Sequence, residues 1–264
     1  MHVTSLRLAT VRERTVKVPV RLFAGLHDVV GRREVELELA EGASVADLRD
    51  ELARRYPAVV PLMSTLVCAV NEEYVANDHR LSPEDEVALI PPVSGGARVA
   101  SADRFQVTEE PLDPRRMVDR VRRDEAGAIA LFYGVVRNHS EGRRVLYLEY
   151  DAYPSMAVKK MRQVAEEVHS RWSITDIAIS HRIGRLEIGE TSLLVAVSAP
   201  HRREAFEACH HAVDRIKELV PVWKKEVWEG GESWVEGHPV AEAARSAGGL
   251  AGGVPGEAET PDKE

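Results

Sequence analysis

Residues 86–96 read EVALIPPVSGG, and no other stretch limits so strongly what this chain can build. An alternating apolar run meets Pro91-Pro92, which lack the N–H groups that a strand ladder needs. The chain then narrows to Ser94-Gly95-Gly96, a suitable tail for entering a narrow tunnel, because glycine has no side chain to obstruct the approach. Yet Ala97 follows, and the chain continues to Glu264. A stretch that reads as an end, placed inside 264 residues, predicts two domains, at 16–96 and 105–239. A linker at 97–104 joins them. Residues 1–15 form an extension, and 240–264 a tail of disordered composition. Gly248-Gly249 and Gly252-Gly253 recur in that tail as plain linkers, and an ordinary hinge is the other reading of Gly95-Gly96.

In the first domain, VKVPVRLFA and REVELELA alternate as strands, the second with Val35, Leu37 and Leu39 on one face and glutamates on the other. GASVADLRDELARRYP then takes a helical period. Ser44 is its N-cap, with Asp47 at the third helical position. Val45, Leu48, Leu52 and Tyr56 form the buried stripe, and Pro57 ends the helix. LVCAV and EVALI read as two further strands. The order strand, strand, helix, strand, strand is compatible with a β-grasp, ubiquitin-like domain.

In the second domain, DPRRMVDRVRRDEAG places Asp113 at an N-cap, Pro114 at the first helical position and Gly127 as the stop. AIALFYGVVR reads as a buried strand, Ser140-Glu141-Gly142 as a turn and VLYLEYDAY as the returning strand. A helix follows from Pro154, with Met156, Met161, Val164 and Val168 inward. Two strands, TDIAISHRI and SLLVAVSA, precede a helix across REAFEACHHAVDRIKEL that Pro221 stops. The class is α+β, with helices on a largely antiparallel sheet.

Composition narrows the functional classes. A net charge of −8 argues against a general nucleic-acid binder, and neither half is basic: 11 Lys/Arg face 15 Asp/Glu up to Gly96, and 24 face 28 after it. Cys68 and Cys209 are far apart and flanked by apolar or small residues, so they read as buried thiols, without a zinc knuckle or disulfide framework. No apolar run approaches 18 residues, and the N-terminus lacks the apolar core of a secretory signal, which predicts a cytoplasmic protein with no membrane partner.

Three places carry candidate chemistry, and each has a plain alternative. SAPHRREAFEA runs from a strand into a helix, whose free N–H groups together with His201, Arg202 and Arg203 suit an anion; a solvated basic turn fits as well. Arg137 ends the strand of FYGVVRNHS, where it can close on a bound anion or pair with a surface carboxylate. DRIKELVPVWKKE puts Lys217 in a last helical turn and Lys224 just past Pro221, beside Trp223. Both lysines suit acid/base or nucleophilic work, and a lysine in a last turn also serves to complement the helix dipole.

VRLFAGLHDVVG, AVNEEYV and the closing LSPEDEVALIPPVSGG resemble the small subunit of molybdopterin synthase, a ubiquitin-like sulfur carrier. GAIALFYGVVRNHSEG, HRIGRLEIGE, SAPHRREAFEAC, PVWKKE and WVEG resemble its large, catalytic subunit, an α/β hammerhead-type domain. The resemblance implies transfer of sulfur from a Gly96 thiocarboxylate to cyclic pyranopterin monophosphate (precursor Z), without a cofactor or metal. It implies Lys217 and Lys224 as active-site lysines and Arg137, His201 and Arg202 as substrate-phosphate residues. Where some relatives carry an arginine after their WVEA, this chain reads WVEGHP, so His238 stands in. It also implies an adenylating, sulfur-loading partner for the Gly95-Gly96 tail and a homodimer through the catalytic domain.

Two consequences follow. His201 and Lys217 lie at opposite ends of one helix, on the order of 20 Å apart at 1.5 Å per residue, so a composite site across two copies is expected. A thiocarboxylate also needs a free carboxylate at Gly96, so hydrolysis of the Gly96–Ala97 bond is expected. The competing reading is a sulfur-carrier or scaffold fusion without turnover of its own.

Overall fold

The structure is a computed structural model that describes residues 14–91, 104–140 and 142–235. Gly95, Gly96, His238, the tail at 240–264 and nearly all of the extension and linker lie outside the described residues.

The N-terminal unit is a five-stranded sheet in the order β2-β1-β5-β3-β4. Its strands are β1 (Thr15–Leu22), β2 (Glu34–Ala40), β3 (Val67–Val70), β4 (Glu73–Val75) and β5 (Val87–Ile90). Only β1 and β5 run parallel. β2 buries Val35, Leu37 and Leu39 and exposes Glu34, Glu36 and Glu38, as its alternation requires. Helix α2 (Val45–Arg55) has the expected capping box: Asp47 N donates to Ser44 Oγ at 3.3 Å, and Ser44 N donates to Asp47 Oδ2 at 2.7 Å. Val45, Leu48 and Leu52 of this helix are fully buried in a core drawn entirely from residues 18–89, so the unit has a sheet and a core of its own. This is the β-grasp arrangement. Helix α1 (Ala24–Val30) is an addition to the expected elements; at seven residues it is too short to show an apolar period.

The C-terminal unit has two sheets. The first, in the order β6-β10-β12-β7, comprises β6 (Phe105–Thr108), β7 (Ala128–Val135), β10 (Asp176–Arg182) and β12 (Thr191–Ala199). Helices α4 (Pro154–Arg171) and α5 (Arg202–Leu219) pack on one face against Ile177, Ile179, Val195 and Val197. Helix α3 (Pro114–Val121) covers Ala178, Leu194 and Ala196 on the other. Burial on both faces explains why β10 and β12 read as continuous apolar runs. The second sheet, in the order β11-β9-β13-β14, comprises β9 (Arg143–Ala152), β11 (Gly184–Glu187), β13 (Val222–Trp228) and β14 (Gly231–Val235), and the short β8 (His139–Ser140) pairs with β9.

Three expectations change here. α3 ends at Val121, six residues before Gly127, and Arg123 turns back to pair with the buried Asp176 at 2.5 Å. Gly127 serves close approach instead: a Cβ there would stand 2.3 Å from the Pro200 carbonyl oxygen. β7 is an edge strand and not a buried one, with Tyr133 46% and Val135 51% exposed. Beyond Pro221 the chain enters β13, which the lysine-rich WKKE does not announce.

The two units meet over an apolar cluster. Phe23, Ala24, Ala69, Ala88 and Ile90 of the first pack against Ala152, Tyr153, Met156 and Trp223 of the second. The Phe23 ring stacks on Tyr153 at 5.2 Å and on Trp223 at 5.1 Å between centroids. Polar contacts surround this plug: Lys160 Nζ donates to Glu73 Oε2 at 2.7 Å, Trp234 Nε1 to Asp28 Oδ2 at 3.0 Å, and Tyr74 Oη to the Leu219 carbonyl at 3.3 Å. Phe23 caps α1 without a side-chain acceptor, and Ala24 sits at φ 47°. Asp151 of the second unit supplies the missing acceptor, taking the Ala24 N–H at 3.2 Å and Arg33 Nη1 at 3.2 Å.

Candidate active site

A cleft of ≈ 630 Å³ opens between the two sheets of the C-terminal unit. Arg137, Lys217 and Lys224 all line it, although 80 residues of sequence separate the first from the second. Each arrives on a different element. Arg137 follows edge strand β7, Lys217 occupies the last turn of α5, and Lys224 is the third residue of β13. Pro221 makes the second and third converge, because it ends the helix and turns the chain into the strand next to β9.

Lys224 is half-buried, with its Nζ 2.9 Å from Glu226 Oε1, and the Glu226 side chain is only 12% exposed. Arg137 and Lys217 are exposed and form no ion pair among the described residues. Two unpaired cations and one half-buried pair thus converge on one hollow, which suits an anionic ligand.

The floor of the cleft was not foreseen. Tyr150 of β9 lies directly opposite Lys224 in the strand register, and His181 of β10 presents its ring edge-on to Tyr150 at 5.4 Å. Burial pushes the Tyr150 phenol above its ordinary value, a hydrogen bond with Ser192 opposes this and the Glu226 charge adds to it. Burial pushes the His181 imidazole down to about 4. Its Nδ1–H donates to the Arg182 carbonyl at 2.8 Å, which leaves Nε2 unprotonated. Glu226 follows Lys224 by two residues and so shares its face of β13. That spacing is visible in WKKE once the segment is known to be a strand. Nothing in the sequence pairs Tyr150 or His181 with the lysines.

His201 and Arg202 are elsewhere. Both are exposed at the start of α5, outside the lining of this cleft, and Arg203 is tied to Glu207 at 2.7 Å. Glu204 also occupies the first turn of α5, with Oε2 buried and without a hydrogen-bond partner among the described residues. The α5 N-terminus therefore already holds a carboxylate beside its basic residues. A smaller hollow of ≈ 330 Å³ between β6 and α3 contains none of the candidate residues.

Comparison with known proteins finds two families in this chain. The MoaE protein family matches residues 107–219, and the ThiS family matches residues 20–96. The molybdopterin synthase catalytic subunit of Halalkalibacterium halodurans is 50% identical over 135 residues, covering 51% of this chain and 86% of that protein. Its counterpart in Bacillus subtilis is 46% identical over 133 residues, covering 50% of this chain and 85% of that protein. A crystal structure of molybdopterin synthase from Staphylococcus aureus superposes with a TM-score of 0.50 at 41% identity, over 52% of this chain and 98% of that one. This chain belongs to the molybdopterin synthase family, with a ThiS-type β-grasp unit and a MoaE-type catalytic unit in one polypeptide.

Proposed function

We propose that this protein acts in molybdenum cofactor biosynthesis by transferring sulfur from two Gly96 thiocarboxylates in turn to precursor Z, giving the dithiolene of molybdopterin and leaving a Gly96 carboxylate each time. The observation that carries this reading is the meeting of Arg137, Lys217 and Lys224 in one cleft whose strand β13 also receives the end of the carrier unit. Trp223 Nε1 donates to the Pro91 carbonyl at 2.8 Å, one residue before Lys224. Gly96 lies five residues beyond Pro91, and five extended residues can span about 17 Å, more than the ~10 Å between packed layers.

In this reading Arg137 holds the substrate phosphate, and Lys217 and Lys224 act at the carbons that accept sulfur. A fixed ammonium orients the thiocarboxylate and stabilises negative charge as it develops. A lysine in its neutral form moves protons to and from the same centre. Glu226 fixes Lys224 in place. His201 and Arg202 of a second copy complete the phosphate site, with His238 at its outer edge. This is supported by the exposure of Tyr133 and Val135 at the cleft mouth and of Phe206 beside Arg202, apolar surface that a homodimer would cover. Hydrolysis of the Gly96–Ala97 bond releases the carboxylate that an adenylating enzyme loads with sulfur.

The test is conversion of purified precursor Z to molybdopterin with a supplied sulfur source, alongside intact-mass measurement of the protein from its native host. Turnover and a fragment ending at Gly96 are expected. Binding of precursor Z without conversion would favour the carrier or scaffold reading. A single chain that stays uncut and fully active would remove the hydrolysis step.

A further inference from the structure

The cleft faces away from the unit interface, yet one strand serves both. Trp223 and Lys224 are consecutive in β13, so their side chains leave opposite faces: Trp223 packs under Phe23 and Lys224 lines the cleft. The interface residues are sealed. Ala24, Ala88 and Ile90 of the carrier unit and Ala152, Tyr153, Met156 and Trp223 of the catalytic unit each retain 1% exposure or less. A second carrier cannot be seated there while the first is present, because its own Phe23 and Ile90 would need the same volume. The ionic contacts are specific to this pairing as well, with carrier Glu73 on Lys159 and Lys160 and carrier Arg33 on Asp151.

Tethering changes the competition. The carrier unit ends at Pro91 and the catalytic unit begins at Arg104, a connection of 12 residues. A short connection holds two modules at an effective concentration on the order of millimolar. A free carrier of equal intrinsic affinity, present at micromolar concentration, loses to it by about a thousandfold. Once the connection is cut, the resident carrier competes only at the protein's own concentration.

We infer that the intact chain is closed to carriers in trans: its own carrier unit occupies the catalytic-unit surface on which a second β-grasp carrier would dock, and cutting the connection opens that surface to exchange. The expected partner after cutting is another copy of the same acidic carrier unit. The inference rests on the functional reading only for calling the N-terminal unit a carrier, and its test involves no sulfur chemistry.

A protease site is placed within residues 97–103 of the full chain, and a fluorescently labelled fragment of residues 14–96, which contains a complete sheet and core, is titrated against cut and uncut protein. The cut protein should take up the fragment at micromolar concentration, and the uncut protein should need about a thousandfold more. Equal uptake by both would overturn the inference, as would no uptake by the cut protein. A second variant gives an independent check: Phe23→Asp with Arg33→Glu in the uncut chain undocks the resident carrier and leaves the catalytic surface unchanged. That chain should bind the wild-type fragment without any cut, and failure to do so while its circular dichroism matches the parent also overturns the inference. Loss of precursor Z conversion with exchange intact would instead count against the sulfur-transfer reading alone.

Discussion

Trp223 donates its indole N–H to the carbonyl of Pro91 at 2.8 Å, and so ties the last described residue of the β-grasp unit to the strand that carries Lys224. The donating Trp223 is 1% exposed and its ring stacks on Phe23. Replacing Trp223 by Phe keeps the stacking and removes the donor. A net hydrogen bond contributes about 0.5–1.5 kcal/mol, so the carrier fragment should bind the cut protein about two- to thirteenfold more weakly. Isothermal titration measures this, and an unchanged affinity would show that Pro91 is held by packing alone.

Asp151 serves two donors, the Ala24 N–H and Arg33. Asp151→Asn keeps an acceptor for the helix end and loses the charge, whereas Asp151→Ala loses both. Amide hydrogen exchange across residues 24–30 should therefore quicken more in the alanine variant than in the asparagine one. Equal protection in both would mean that α1 needs no cap from the catalytic unit.

Lys224→Ala and Lys217→Ala should each lower kcat by about 10²–10³-fold, as expected for loss of a positioned charge or proton carrier. Glu226→Gln should cost less, because it loosens Lys224 without removing it. If the site is composite, a mixed dimer of an Arg202→Ala chain and a Lys217→Ala chain recovers part of the activity that each lacks alone. Absence of recovery in dimers that form normally would place both residues in the service of separate sites.

His181 is buried neutral, its pKa pushed down to about 4. The unfolded chain, with an ordinary histidine value near 6.5, takes up the proton first. The contribution of His181 is therefore fully present above pH 6.5 and is lost as pH falls toward 4, on the order of 3 kcal/mol over that window. Denaturant titrations between pH 7 and 5 should show this slope in the parent and a shallower one in His181→Asn. Parallel slopes would mean that His181 is not the group that senses acid.

Burial pushes the Cys68 thiol up to about 12 and the Cys209 thiol up to about 11. Neither thiolate forms at neutral pH, so native protein should resist iodoacetamide and incorporate two equivalents only on unfolding. Rapid labelling of either cysteine in the native state would contradict the packing around it.

Gly127→Ala tests the reassignment of that residue from helix stop to close contact. The added Cβ would meet the Pro200 carbonyl oxygen at 2.3 Å, and relief requires moving backbone at the end of β12. A loss of about 1–3 kcal/mol is expected from thermal or denaturant unfolding. Gly127 does not adopt the left-handed φ of a helix-stop glycine, and unchanged stability in the variant would overturn the close-contact role.

Local chemistry was legible in the sequence wherever one element decides its own structure. The Ser44–Asp47 capping box, the alternation of β2 and the apolar stripe of α4 involve residues a few positions apart, and short-range sterics and hydrogen bonding settle them. Tertiary structure alone decided which candidates meet. Arg137, Lys217 and Lys224 share a cleft because β7, α5 and β13 converge, while His201 remains at the far end of the 18-residue α5. It also decided that WKKE is a strand: pairing with β9 and burial of Trp223 override a local sequence rich in charge. Strand pairing and burial are set by partners many residues away, and a single sequence does not record which distant segments will supply them.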